Sequence, residues 1–310
     1  MARLKVCLSL QAIRGVGPVK IRRLFSAFAD RNLDPEQAHE DEAQRVLQEH
    51  GVPLPAADVD AAEQQAQELV DKGITCFLPQ FDPLGRSADR VESLPPILFA
   101  RGPAELLSRV GVGFCGSRRA TPRGIEVAQD VADQLAHLRV NVVSGGARGV
   151  DTAAHGSALA AGGTTTIVLA EGILRFSLRR ELKAVYDPER TLVVSEFPPQ
   201  RPWQAGQAMT RNQTICALSR AMVLIEAGTK GGTFNAGLTS LKLGVPLYSV
   251  DYANQLDENS GNRILLGKGA QPLRKSASTH RANLSGLLSA VAEEESRPQS
   301  TQTSLWSSPT

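Results

Sequence analysis

The spacing of apolar positions changes character about a third of the way along this chain. In residues 4–28, LKVCLSLQAIRGVGPVKIRRLFSAF, apolar side chains recur at helical spacing. Leu8, Leu10, Ile13, Val16, Ile21, Leu24, Phe25 and Phe28 predict two short amphipathic helices. Gly15 and Gly17 interrupt them, and Pro18 suits the first turn of the second. The arrangement is like a helix-hairpin-helix, whose G-x-G turn would aim the backbone N–H groups of Gly15 and Gly17 at a nucleic-acid phosphate. A small packing module with a tight turn is the alternative reading. Residues 33–80 are mostly helical in pattern, with Gly73 stopping the stretch AADVDAAEQQAQELVDKG. ITCFL then reads as a short strand, and DP, GRS and LPP within 82–96 read as loop. A helical domain is therefore expected over residues 1–80.

From residue 110 short apolar runs alternate with helical segments. The runs are VGVGFC, VNVVSGG, TTTIVLAEG, TLVVSE, AMVLIEA and PLYSV. Helices are predicted over PRGIEVAQDVADQLAHL, 151–161, 207–218 and 232–243. Buried β-branched strands alternating with helices predict a parallel sheet covered on both faces. The fold class is α/β, an extended Rossmann-like domain over 81–280. A short amphipathic helix is expected over 281–295 through Leu284, Leu287, Leu288 and Val291. After it the chain is rich in Ser, Thr and Pro and predicts a disordered polar tail that carries Trp306.

In an open parallel sheet, ligands bind beyond the carboxyl ends of the strands. The residues that come after the runs are therefore the candidate site. Gly116-Ser117-Arg118-Arg119 succeeds the first run, with Arg123 close behind. Ser144-Gly145-Gly146-Ala147-Arg148-Gly149 and Asp151 succeed the second. Glu171-Gly172 with Arg175, Arg179 and Arg180 succeeds the third. Gly228-Thr229-Lys230-Gly231-Gly232-Thr233 comes after VLIEA, and Arg211-Asn212 is expected to begin the helix before that strand. Glycine lets backbone amides approach a phosphate, helix N-termini add positive dipole, and arginine offers a planar fork. Several such loops on one edge point to a polyphosphate or phosphodiester. At any single loop the bland alternative is a glycine that the turn itself requires. Asp151 and His155, four apart, would serve as an acid–base pair or, on the favoured reading, as a helix cap beside a tightly packed small-residue helix.

Composition narrows the classes without choosing among them. The chain has 310 residues, 42% of them hydrophobic, 21% charged and 5% aromatic. That suits an ordinary globular protein of about two domains without a broad aromatic platform for bases. Net charge is +2, so any basic site must be local. Cys7, Cys76, Cys115 and Cys216 form no C-x-x-C pair, which predicts reduced thiols, no metal site and a cytoplasmic setting. No run suggests a membrane span or a signal peptide. No G-x-G-x-x-G opens the first βα unit and no G-x-x-x-x-G-K-[ST] occurs, which disfavours a dinucleotide oxidoreductase and a P-loop NTPase. No complete catalytic constellation and no cofactor are expected.

Taken together, VGFCGSRRATPRG, VVSGGARGVDTAAHGSAL, GTTTIVLA, VSEFPP, RNQTICALS, VLIEA and NSGNRILLGKGAQPL occur in an order that resembles the DNA-processing protein A (DprA, or Smf) family. The leading helices and LPPILFARG fit as well, so the resemblance spans roughly 5–275. It implies a homodimer that binds single-stranded DNA without catalysis, protects it and helps load a RecA-type recombinase. It maps the site onto Gly116 to Arg118, Ser144 to Gly149 with Asp151, Arg211-Asn212, and Lys230 to Thr233. The chain departs from the family pattern in several places. GILRFSLRRELKAV lacks the usual Tyr-Pro, Gln213 replaces a second arginine, GGTFNAG replaces a Ser/Thr-rich run, and a short helix and polar tail are expected where the family carries a winged-helix segment. These departures leave open a phage-defence or toxin–antitoxin setting with a toxin or defence partner. Two further readings stand beside DNA binding. One is a nucleotide sensor or phosphoribohydrolase-like enzyme on a related fold, for which the glutamate expected after Gly231-Gly232-Thr233 is missing. The other is an antitoxin-like interaction module.

Overall fold

A computed structural model describes residues 1–37, 41–52, 59–82, 88–253 and 260–296. Helices α1 (Ala2–Ala12) and α2 (Pro18–Asp30) form the leading hairpin, with Pro18 in the first turn of α2. Helices α3 (Asp41–Glu49) and α4 (Val59–Asp71) come next, then β1 (Ile74–Phe77), α5 (Ala88–Ser93) and β2 (Leu98–Arg101). The βα alternation runs β3 (Gly111–Cys115), α6 (Pro122–His137), β4 (Asn141–Gly145), α7 (Val150–Ala160) and β5 (Thr165–Val168). It continues through β6 (Thr191–Ser195), α8 (Ala205–Ala217), β7 (Ala221–Leu224), α9 (Gly232–Lys242) and β8 (Leu247–Val250). Helix α10 (Ser260–Gly267), β9 (Gln271–Leu273) and α11 (Ser285–Ser296) close the described chain. The expected polar tail with Trp306 lies outside the described residues, as does part of the 82–96 loop.

The nine strands form one sheet in the order β1-β2-β6-β5-β4-β3-β7-β8-β9. From β6 across to β9 every pair is parallel, whereas β1 and β2 are antiparallel additions at one edge. The sheet is thus wider than the apolar runs from VGVGFC to PLYSV predict. The strand at 74–77 belongs to it rather than to the helices before it. Strand order reverses at β3, whose neighbours are β4 and β7. That is where a doubly wound sheet opens a crevice for ligand.

Register explains how the faces are covered. Val142, Thr165 and Thr191 lie in line across three strands, as do Ser144, Ile167 and Val193. On this face α6, α7 and α11 cover the β4-to-β8 half through Val131, Ala154 and Leu287. The leading helices cover the other half: Leu10, Leu24, Phe25 and Leu69 pack with Ile74, Phe99, Ile167 and Val193. The opposite face, Val143, Val194, Met222 and Leu247, lies under α8, α9 and α10. The N-terminal helices are therefore part of one covering layer. Burying their apolar stripe completes the sheet face that α7 leaves bare.

Candidate functional site

The loops after β3, β4, β5 and β7 converge on the carboxyl edge of the sheet. They line three adjoining clefts. The first, about 630 Å³, is lined by Arg118, Arg119, Gly146, Ala147, Arg148, Leu169, Ala170, Glu171, Arg179, Trp203 and Arg211. A second, about 620 Å³, shares Gly146, Arg148, Leu169, Glu171 and Arg179 with it and runs on past Phe176 and Arg180. A third shares Arg118, Arg119, Ala147, Trp203 and Arg211, and reaches Asn212, Lys230, Gly232 and Thr233. The shared linings make one groove across the switch point. Arg118, Arg119, Arg148, Arg180 and Lys230 are exposed along it. Local clustering therefore supplies the positive charge that the net +2 does not.

The glycines divide into two kinds. A side chain at Gly116 would strike Val150, one at Gly145 would overlap the guanidinium of Arg211, and one at Gly149 would meet the carbonyl of Ser117. Gly149 also has φ +79°, which favours glycine. Gly149 lets the β3 and β4 loops pack backbone to backbone, where Val150 N–H donates to Ser117 O at 3.3 Å, while Gly116 and Gly145 make room for the side chains of Val150 and Arg211. A side chain at Gly146, by contrast, would meet nothing closer than 3.8 Å, and one at Gly231 or Gly232 nothing within 4 Å, so the space on that side of the backbone is open.

The polar side chains divide in the same way. Ser144 is fully buried and donates to the Phe114 carbonyl at 2.9 Å. Asp151 is buried in the first turn of α7, where it accepts from Ala147 N–H at 3.2 Å. The cap position itself belongs to Gly149, so the expected Asp151 helix cap is instead a brace for the glycine loop. His155 is buried between two strands, its Nε2 donating to the Gly145 carbonyl at 2.8 Å. Its Nδ1 faces the Thr165 hydroxyl at 2.6 Å, and burial lowers the imidazole below its ordinary pKa. A neutral ring wedged in this way ties α7 to the ends of β4 and β5. Among the described residues no group of acidic, His and Cys side chains is placed to hold a metal.

Arg211 and Asn212 do not begin a helix. They sit in the middle of α8, 7% and 8% exposed. Arg211 Nη1 donates to the Val168 carbonyl at 2.8 Å, and its Nε has no partner among the described residues. Burial lowers its pKa; Asp151, Glu171 and Glu196 counter that, while Arg118 adds to it. The guanidinium therefore forms the floor of the groove rather than its wall. Asn212 Nδ2 donates to the Gly232 carbonyl at 3.1 Å and so positions the β7 loop. Glu226, two residues past the end of β7, is buried and accepts from both the backbone N–H and the hydroxyl of Thr121, 2.8 and 2.5 Å away, fixing the start of α6.

Two expected contacts lie elsewhere. Arg123 stacks on the ring of Tyr252, 5.2 Å from its centroid, and lines a separate cleft with Asp130 and Arg281. Gly15 and Gly17 form the exposed α1–α2 turn and line none of the three clefts. Arg179, expected at this edge from its place after the third run, donates through Nε to the Gly146 carbonyl at 2.7 Å. The structure also adds a residue that residue-type reasoning passed over. Trp203, 48% exposed, has the Arg118 guanidinium 5.5 Å from its ring centroid. Its position, in the segment between the carboxyl end of β6 and the start of α8, was the available signal.

Comparison with known proteins agrees with this geometry. Residues 79–282 match the family described as DNA recombination-mediator protein A. A protein of Mycobacterium tuberculosis named for DNA processing, DprA, is 29% identical over 300 residues, 94% of this chain and 75% of that one. The X-ray structure of DNA processing protein A from Streptococcus pneumoniae superposes with a TM-score of 0.68 at 22% identity, covering 88% of this chain and 94% of that chain. A second structure, of DNA processing protein A from Helicobacter pylori, is described for its single-stranded DNA binding mode. It superposes with a TM-score of 0.55 at 26% identity, covering 64% of this chain and 90% of that one. On the strength of the match over 79–282, the chain belongs to the DNA recombination-mediator protein A family.

Proposed function

We propose that this chain binds single-stranded DNA along the carboxyl-edge groove. The observation that carries the reading is that Arg118, Arg119, Arg148 and Lys230 line the same run of clefts as Gly146 and Gly232, at which a side chain would meet nothing closer than 3.8 Å. Phosphates sit over the open glycines and the N-terminus of α9, and the arginines neutralise them. Thr233, in the first turn of that helix, adds a hydroxyl. Ser117 holds the β3 loop by accepting from Arg119 N–H at 3.0 Å. Arg211, Asn212, Asp151 and Ser144 act beneath, setting the shape of the loops. By family, the chain acts as a cytoplasmic homodimer that protects the strand and hands it to a RecA-type recombinase.

The test is a titration of a fluorescent 20-nucleotide strand and its duplex at two salt concentrations, with mononucleotides as competitors. Tight binding of the single strand that weakens steeply with salt is expected. Strong competition by one mononucleotide would favour the nucleotide-sensor reading, and absence of DNA affinity would favour the interaction module.

A further inference from the structure

The four cysteines are all buried, and they fall into two cores. Cys115 and Cys216 belong to the core beneath α8 and α9. Cys7 and Cys76 belong to the other, where the leading helices cover the sheet far from the groove loops. Alternation along β1 turns Ile74 and Cys76 inward, and the apolar stripe of α1 brings Leu4, Cys7 and Leu8 into the same core. There two sulfur atoms meet. Cys76 Sγ lies 3.7 Å from Cys7 Sγ, across 69 positions of sequence. A disulfide needs its sulfurs about 2 Å apart, so closure asks for an approach of about 1.7 Å.

The pair joins an edge to a terminus. Strand β1 is the outermost strand of the sheet, and α1 is the first helix of the chain. That helix is held by its packing and not by its own ends. It has no side-chain cap, no acidic residue in its first turn and no basic residue in its last. The hydrogen bond from Cys76 and burial hold the Cys7 thiol well above its ordinary pKa, so it stays protonated while α1 is seated. Local opening of α1 exposes both sulfurs together.

We infer that Cys7 and Cys76 form a site of oxidative modification, closing to a disulfide that fastens α1 to β1 when a hydroperoxide meets the opened helix. One sulfur, as thiolate, attacks the peroxide. The O–O bond breaks, a sulfenic acid forms, and the other oxygen leaves as an alcohol, or as water from hydrogen peroxide. The second sulfur attacks the sulfenic sulfur, the S–S bond forms, and the hydroxyl leaves as water. Two electrons pass from the thiols to the hydroperoxide, and both thiol protons end on the departing oxygens. The inference does not depend on what the groove binds.

The test exposes the reduced full chain to hydrogen peroxide, traps the remaining thiols with N-ethylmaleimide after unfolding, and maps the peptides. Two of the four thiols should be lost. The peptides that carry Cys7 and Cys76 should be joined, about 2 Da lighter than their sum, and dithiothreitol should separate them. The melting temperature of the oxidised chain should rise by about 5–10 °C, because the bond closes a long loop of the unfolded chain. Neither Cys7→Ala nor Cys76→Ala should show that rise. Urea below the unfolding transition should speed closure severalfold, because attack waits for α1 to open. Four free thiols after peroxide, a link between Cys115 and Cys216, or sulfinic acid at Cys7 or Cys76 without a link would overturn the inference. So would a joined pair with an unchanged melting temperature, since the bond would then fasten nothing. The peptide map uses the wild type alone, so it decides even where a variant does not fold.

Discussion

Arg211 lies in the space that a side chain at Gly145 would fill. The guanidinium passes over the last residue of β4 and donates to the carbonyl of Val168 on the neighbouring strand. It thereby links the ends of β4 and β5 beneath the groove. Glycine at the end of a strand is often read as an invitation to a ligand. Here the guest is a side chain of the same protein.

Gly145→Ala should therefore act through Arg211. The buried guanidinium cannot swing aside without losing the Val168 bond, and overpacking of this kind costs about 1–3 kcal/mol. Arg211→Ala should cost a comparable amount or more, through lost packing and a lost charge-assisted bond. The double variant should be less destabilised than the sum of the singles by at least about 0.5 kcal/mol, because the clash needs both partners. Urea-denaturation midpoints of the four proteins decide it. Strict additivity would show that the two residues do not compete for one space.

His155 predicts a pH dependence with a definite sign. Burial lowers its folded pKa, so the unfolded chain takes up a proton that the folded chain refuses. Stability from the neutral ring is complete above about pH 6.5 and is lost as pH falls from there towards the folded value. His155→Ala should be less stable than wild type at pH 8, through the lost bonds to Gly145 and Thr165. The gap between the two proteins should narrow between pH 7 and pH 5. A gap that widens on acidification would mean that the imidazole is held charged.

The strands and most helices were legible because a parallel sheet buries both faces, so that Val142 and Val143 or Val193 and Val194 must both be apolar. The same pattern could not reveal β2, whose four residues LFAR come just after the 82–96 loop and its two prolines, or the three-residue β9. Placement of the site was legible for topological reasons, since the residues just past a parallel strand lie at its carboxyl edge. Which residues face outward was not. Arg118 and Arg211 are the same residue type beside the same glycine loops, yet one is exposed and the other forms the floor. That distinction depends on the packing of α8 on the sheet. Arg123 is three residues from Ala120, but the first turn of α6 carries it round to Tyr252.

Arg123→Ala tests that divergence. Its guanidinium faces a cleft formed with β8, β9 and Arg281, outside the groove. Single-stranded DNA affinity should change by less than about twofold at 0.15 M salt, where exposed charges beyond the Debye length are largely screened. A tenfold loss would place the strand across the β8 edge as well and enlarge the site.

Arg118→Ala is the decisive companion. The side chain is exposed at the mouth of the groove, just past Gly116-Ser117, with its guanidinium against the Trp203 ring. Its removal should cost one charge-assisted phosphate contact, about 1.5–3 kcal/mol. In affinity that is a loss of about tenfold to a hundredfold. The slope of log affinity against log salt should shrink by about 0.7, because one fewer phosphate of a single strand is neutralised. The melting temperature should hardly move, since an exposed cation–ring contact contributes at most about 1 kcal/mol. Arg211→Ala should give the opposite profile: a clear fall in melting temperature and, with it, a loss of binding that tracks the loosened loops. Measuring affinity, salt slope and melting temperature on both variants separates a ligand arginine from a structural one. If Arg118→Ala melts early and binds normally, Arg118 belongs to the scaffold, and the phosphate path must run instead through Arg148 and Lys230.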